Sequence, residues 1–187
     1  STSPRISENI TITNCIVSSH CNGIKFGTES TGGFRNVTVS NCVIRPSAQR
    51  QTIYGKPDGI SGLALEVVDG GIMENITISN LIIEGPQVPI FIRLGNRARK
   101  FSDTAAAPSI GRIRHIRISD IIARGADTVG CSISGLEKVP VEDITLSNIT
   151  IETSGSDIAV KPFSAVVPER EEDYPEATIF GKLPSYG

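Results

Sequence analysis

The chain has 187 residues and 39% hydrophobic against 20% charged side chains, a folding composition sized for one domain rather than two. No run approaches the ~18 consecutive apolar residues of a membrane helix. The net charge of -2 gives no bulk attraction to nucleic acid or anionic lipid, so neither is an expected partner. Ser1 reads as a cut or processed start, and the residues after it lack the basic-then-apolar run of a signal peptide. The four cysteines, Cys15, Cys21, Cys42 and Cys131, form no C-x-x-C pair and the two histidines stand far apart, so no metal site is expected. Small buried thiols are preferred to a disulfide.

Five segments repeat in chain order. Asn9 opens NITITNCIV, Asn36 NVTVSNCVI, Asn75 NITISNLII, His115 HIRISDIIA and Asp143 DITLSNITI, with start-to-start steps of 27, 39, 40 and 28 residues. Each alternates apolar and polar residues, the period of a strand, and each has Asn or Asp at its sixth position: Asn14, Asn41, Asn80, Asp120 and Asn148. A second short strand comes after each: GIKFG, GLALE, PIFIR, GCSIS and DIAVK. Units of this length that recur without an amphipathic helix predict an all-β solenoid of about five turns over residues 1–161, a parallel β-helix with strands ~4.8 Å apart from their copies. The Asn column is expected to stack at a turn, with amides bonded along the axis.

Alternation assigns the faces of the second strands. Ile24 and Phe26, Leu63 and Leu65, Ile90 and Ile92, Cys131 and Ile133, and Ile158 and Val160 are expected inside. Lys25, Ala64, Glu66, Phe91, Arg93, Ser132, Ser134, Ala159 and Lys161 are expected outside. Glu66 and Arg93 fall in one outward column, where an exposed cross-strand ion pair would contribute at most ~1 kcal/mol. Two turns carry about a dozen extra residues each, at 45–59 and 96–112, and are expected to leave the solenoid at one phase and wall one sheet. The segment 162–187 drops the repeat and reads as a cap, a linker or a loop. The basic run Arg93, Arg97, Arg99 and Lys100 is either a solvated loop or a place for an anionic ligand. Four N-x-T sequons, at Asn9, Asn36, Asn75 and Asn148, begin repeat strands and read as by-products of the repeat. No two acids share one spot as glycosidase chemistry would want, and no Ser-His-Asp set or phosphate loop is present.

The segments SENITITNCIVSSHCNGIKFGTESTGGFRNVTVSNCVI, GLALEVVDGGIMENITISNLII, VPIFIRLGNR and YPEATIFGKLPSYG resemble glycoside hydrolase family 28, the polygalacturonase- and rhamnogalacturonase-like pectin hydrolases. The resemblance implies a right-handed parallel β-helix, metal- and cofactor-independent inverting hydrolysis, and an acidic plant cell-wall polysaccharide as partner. It implies a secreted or periplasmic parent. The family's D-D motif stands ahead of a segment like STSPRISENITI, so neither catalytic aspartate is matched here, and the chain reads as an internal fragment that binds without cleaving. The family's G-H-G motif falls on Cys21-Asn22-Gly23 and its R-I-K motif on Ala64-Leu65-Glu66, a divergent set. His20 is the candidate assisting residue, and His20, Asn22, Lys25, Glu66, Arg93, Asn96 and Arg97 are the candidate substrate contacts, on the outward face of the second strands. A non-catalytic carbohydrate-binding β-helix is the alternative. A calcium-dependent lyase is a weaker one, because the outward face lacks an Asp cluster.

Overall fold

A computed structural model describes residues 3–47, 58–127, 130–153 and 169–179. Ten strands succeed one another: β1 (Ser7–Thr13), β2 (Ile16–Ser18), β3 (Asn22–Phe26), β4 (Gly33–Arg45), β5 (Ser61–Val67), β6 (Ile72–Glu84), β7 (Val88–Leu94), β8 (Arg112–Ala126), β9 (Ser132–Ser134) and β10 (Glu142–Thr153). The described residues form no helix, and so none long and apolar enough to cross a membrane. The chain alternates between two parallel sheets. The first is ordered β1-β4-β6-β8-β10, with β2 also paired to β4, and the second β3-β5-β7-β9. This is the parallel β-helix that the repeat predicts.

The repeat works because equal positions stack. Ile10, Val37, Ile76, Ile116 and Ile144 form one column, and Ile12, Val39, Ile78, Ile118 and Leu146 the next. Cys42, Leu81, Ile121 and Ile149 form a third. The second sheet answers with Ile24, Leu63 and Ile90, and with Phe26, Leu65, Ile92 and Ile133. Most of these side chains are fully buried in one core, where each contributes roughly 1.5–3 kcal/mol.

Inward residues of β6 fall at Met73, Ile76, Ile78, Leu81 and Ile83, in steps of three, two, three and two. Strict alternation would allow only steps of two. The extra residue in each step of three is a left-handed corner. Asn36, Asn75, His115 and Asp143 have φ from 51° to 57°, and the sixth-position column Asn14, Asn41, Asn80, Asp120 and Asn148 has φ from 52° to 57°. Asn and Asp tolerate this conformation better than other L residues. Each corner resets which face the next residue presents. The amides bond along the axis as expected: Asn80 Nδ2 donates to Asn41 Oδ1 at 2.7 Å and Asn148 Nδ2 to Asp120 Oδ1 at 2.6 Å. The repeat-opening column forms a second such ladder, Asn36 to Asn9 and Asn75 to Asn36 at 3.1 Å each.

Outside the first sheet, Glu8, Arg35, Glu74, Arg114 and Glu142 lie in register on successive strands. Arg35 pairs with Glu8 at 2.8 Å and Arg114 with Glu74 at 2.7 Å. The cysteines are free thiols, Cys42 buried and Cys15 half-buried.

Three expectations need correction. Cys131, just ahead of β9, and Ile133, in the inward column and 39% exposed, are not sealed in the core. The two long turns leave at opposite phases: the first leads from β4 into the second sheet at β5, the second from β7 back to the first sheet at β8. The outward residues Ala64, Glu66, Phe91 and Arg93 do face away from the core, but all four are at most 1% exposed. Ile158, Ala159, Val160 and Lys161, residues 48–57 of the first long turn, and most of 162–187 lie outside the described residues.

Candidate functional site

The outward face of the second sheet is covered by residues 169–179 of the chain itself. Ala177 is 4% exposed and packs with Ile60, Ala64, Val88 and Phe91 as a small second core. Polar contacts fix its other end. Arg93 Nη2 donates to the carbonyls of Glu169, at 2.5 Å, and Arg170, at 3.0 Å, while Nη1 reaches Ser134 Oγ at 3.3 Å. Asn96 N donates to Glu171 O at 2.6 Å, and Glu137 N to Glu169 Oε1 at 2.5 Å. Arg93 thus fastens a strap across the sheet. Burial holds its guanidinium below the ordinary value, against the pull of Glu169, Asp173 and Glu171.

Glu66, next to Arg93 in register, pairs with Lys25 instead, Nζ to Oε2 at 2.9 Å. The Glu66 side chain is wholly buried and its Oε1 has no hydrogen-bond partner. Burial pushes the carboxyl up to about 7, against Lys25 and Arg97, so near neutrality it is poised between acid and carboxylate. Desolvation lowers the Lys25 ammonium, but Glu66, Tyr174 and Glu176 together outweigh that and hold it above its ordinary value. Glu176 belongs to the strap. Burial raises its carboxyl too, and its Oε2 is buried without a partner while Oε1 accepts from Ala177 N. Lys25 is therefore flanked by two acids, one from the sheet and one from the strap, a juxtaposition that spacing along the chain does not reveal. Burial and Glu176 push the neighbouring Cys21 thiol up, which leaves it a poor nucleophile.

The strap also presents Tyr174, 48% exposed, beside two cations. Lys25 Nζ lies 5.4 Å and Arg97 Cζ 5.7 Å from its ring centroid. Arg97 is anchored in turn by Asp69, itself 2% exposed. Arg97 Nε donates to Asp69 Oδ1 at 3.0 Å, Nη2 to Oδ2, and the Arg99 amide also donates to Oδ1 at 3.0 Å. Ala98 N donates to Val68 O at 3.0 Å. One buried aspartate thereby pins the start of the basic loop.

The sequence-derived candidates separate accordingly. Lys25, Glu66 and Arg97 meet around Tyr174. Arg93 and the Asn96 backbone hold the strap. Asn22 Oδ1 accepts the Ser61 hydroxyl one coil away. His20 is half-buried ahead of β3 and takes part in none of these contacts. Among the described residues no group of three His, Cys, Asp or Glu could hold a metal ion. Tyr174, Glu176 and Asp69 are not marked out by the sequence: each is a single polar residue outside the strand repeat, and nothing local announces its partner. Compared with family models, with curated proteins and with solved structures, the chain matches none.

Proposed function

We propose that this solenoid holds an acidic plant cell-wall polysaccharide, as the β-helical body of a pectin hydrolase resembling glycoside hydrolase family 28, and that the residues present bind the polymer without cleaving it. The observation that carries the reading is the half-exposed Tyr174 ring with Lys25 and Arg97 beside it. An aromatic ring offers a sugar an apolar face, and flanking cations favour a sugar that bears carboxylates. The parallel β-helix agrees with the family likeness but does not by itself carry a function.

Binding without cleavage is favoured over hydrolysis by the state of Glu66. Inverting hydrolysis needs an acid at the leaving oxygen and a base on a water, both open to the sugar. Glu66 is closed in beneath the strap and paired to Lys25. The test is retention on immobilised polygalacturonate against a neutral glucan, with a reducing-sugar assay alongside. Selective, salt-sensitive retention that weakens several-fold in Tyr174→Ala is expected, with no sugar released. Equal retention on the neutral polymer, or an unaffected Tyr174→Ala, refutes the reading.

A further inference from the structure

A cleft of about 430 Å³ opens beside the basic loop, between the segment 4–7, the turn 29–33 and residues 99–101. Its walls are fixed. Gly33 N closes the turn onto Ser30 O at 2.9 Å. The segment 4–7 lies directly on that turn: a Cβ placed at Gly32 would stand 1.9 Å from the Arg5 carbonyl oxygen, so only glycine permits the contact. The loop wall is held by Asp69, which accepts from the Arg99 amide.

The charges in the cleft do not cancel. Arg99 Nη1 is paired with Glu29 across the opening, and Asp69 is taken by Arg97 from behind. That leaves Arg5 and Lys100, both exposed, with no acidic partner among the described residues. Phe101, 38% exposed, lines the same wall, and Ser7, Ser30 and Thr31 add hydroxyls. Two uncompensated cations, one open aromatic ring and several hydroxyls in a space of this volume suit a small ligand that is anionic, polyhydroxylated and has one apolar face. We infer that this cleft is a binding site for a single carboxylate-bearing sugar unit, whose carboxylate meets Arg5 and Lys100 and whose ring lies against Phe101. The inference rests on the acidic-polysaccharide reading only in the choice of sugar.

The test titrates the full chain with galacturonic acid, galactose and inorganic phosphate, followed by amide chemical shifts and calorimetry. Galacturonic acid should shift the amides of residues 30–33 and 99–101 and bind at least tenfold tighter than either other probe. The double variant Arg5→Ala/Lys100→Ala should lose at least tenfold in affinity. Glu29→Gln, which releases Arg99, should gain affinity. If the double variant melts earlier than the parent chain, Arg5→Gln and Lys100→Gln singly give the same reading. Galactose binding as well as galacturonic acid overturns the inference, as does tighter phosphate binding, which would mark a bare anion site. Undiminished affinity in the variants, or weaker binding by Glu29→Gln, also overturns it. Polymer retention through Tyr174 without any response to galacturonic acid refutes this cleft alone. A response to the monomer without polymer retention refutes the broader proposal alone.

Discussion

Between its corners the first sheet follows the same alternation as the second, and the two live in different surroundings. On the first sheet the outward column Ile16, Val43, Ile82 and Ile122 faces solvent, and Ile82 and Ile122 are 42% and 43% exposed. On the second sheet the outward residues Ala64 and Phe91 are 0% exposed, because the strap lies on them. Periodicity tells which side of a strand a residue occupies, but not what stands beyond it. An outward Phe in a strand signals that another part of the chain returns to cover it.

The sharpest way to test that contrast is to cut side chains at the same phase on both sheets. Phe91→Ala should destabilise by about 3–5 kcal/mol, as for a core aromatic. Ile122→Thr, which keeps a β-branched side chain on the open sheet, should stay within about 0.5 kcal/mol. Urea denaturation of both variants measures this, and equal effects would break the distinction between the sheets.

A second test uses pH. The Glu66 carboxyl sits at about 7 in the fold against an ordinary 4.5, so between those values the folded chain keeps a proton that the unfolded chain has released. Stability is then full below pH 4.5 and falls as pH rises towards 7, by an amount on the order of 3 kcal/mol. Glu66→Gln should flatten that part of the pH–stability profile. An unchanged slope would mean that water reaches the carboxylate and that the strap does not seal the sheet.

Smaller still is the effect of loosening the strap at one end. Arg93→Ala strands the carbonyls of Glu169 and Arg170 and should destabilise by about 2 kcal/mol. Amide exchange should accelerate across 169–179 while the coils of the first sheet remain protected. Uniform acceleration would show that strap and solenoid open as one unit.

The solenoid is legible because every coil repeats the same instruction: Val or Ile at stacked positions, Asn or Asp at the corner. The Asn41–Asn80 and Asp120–Asn148 ladders can be anticipated from one aligned column. The second corner column, opened by Asn36, Asn75 and His115, is visible as a repeated Asn, but its left-handed backbone is not, since the same residues also read as sequons. Arg93 shows the limit. Its outward direction comes from alternation, but its partners are carbonyls 76 and 77 residues away in a segment without a repeat. The same holds for Tyr174 beside Lys25 and for Arg5 and Lys100 on one cleft, where long-range chain return decides the neighbours.

The charged ladder on the first sheet carries a rule about counting. Glu8, Arg35, Glu74, Arg114 and Glu142 alternate in sign from coil to coil, so each of the three inner charges has opposite neighbours above and below. Excising the coil that bears Glu74 would set Arg35 directly against Arg114, and duplicating any one coil would likewise bring two equal charges together. Excising or duplicating two adjacent coils preserves the alternation of sign. The solenoid therefore has a parity: by this ladder it can lengthen or shorten cleanly only in steps of two.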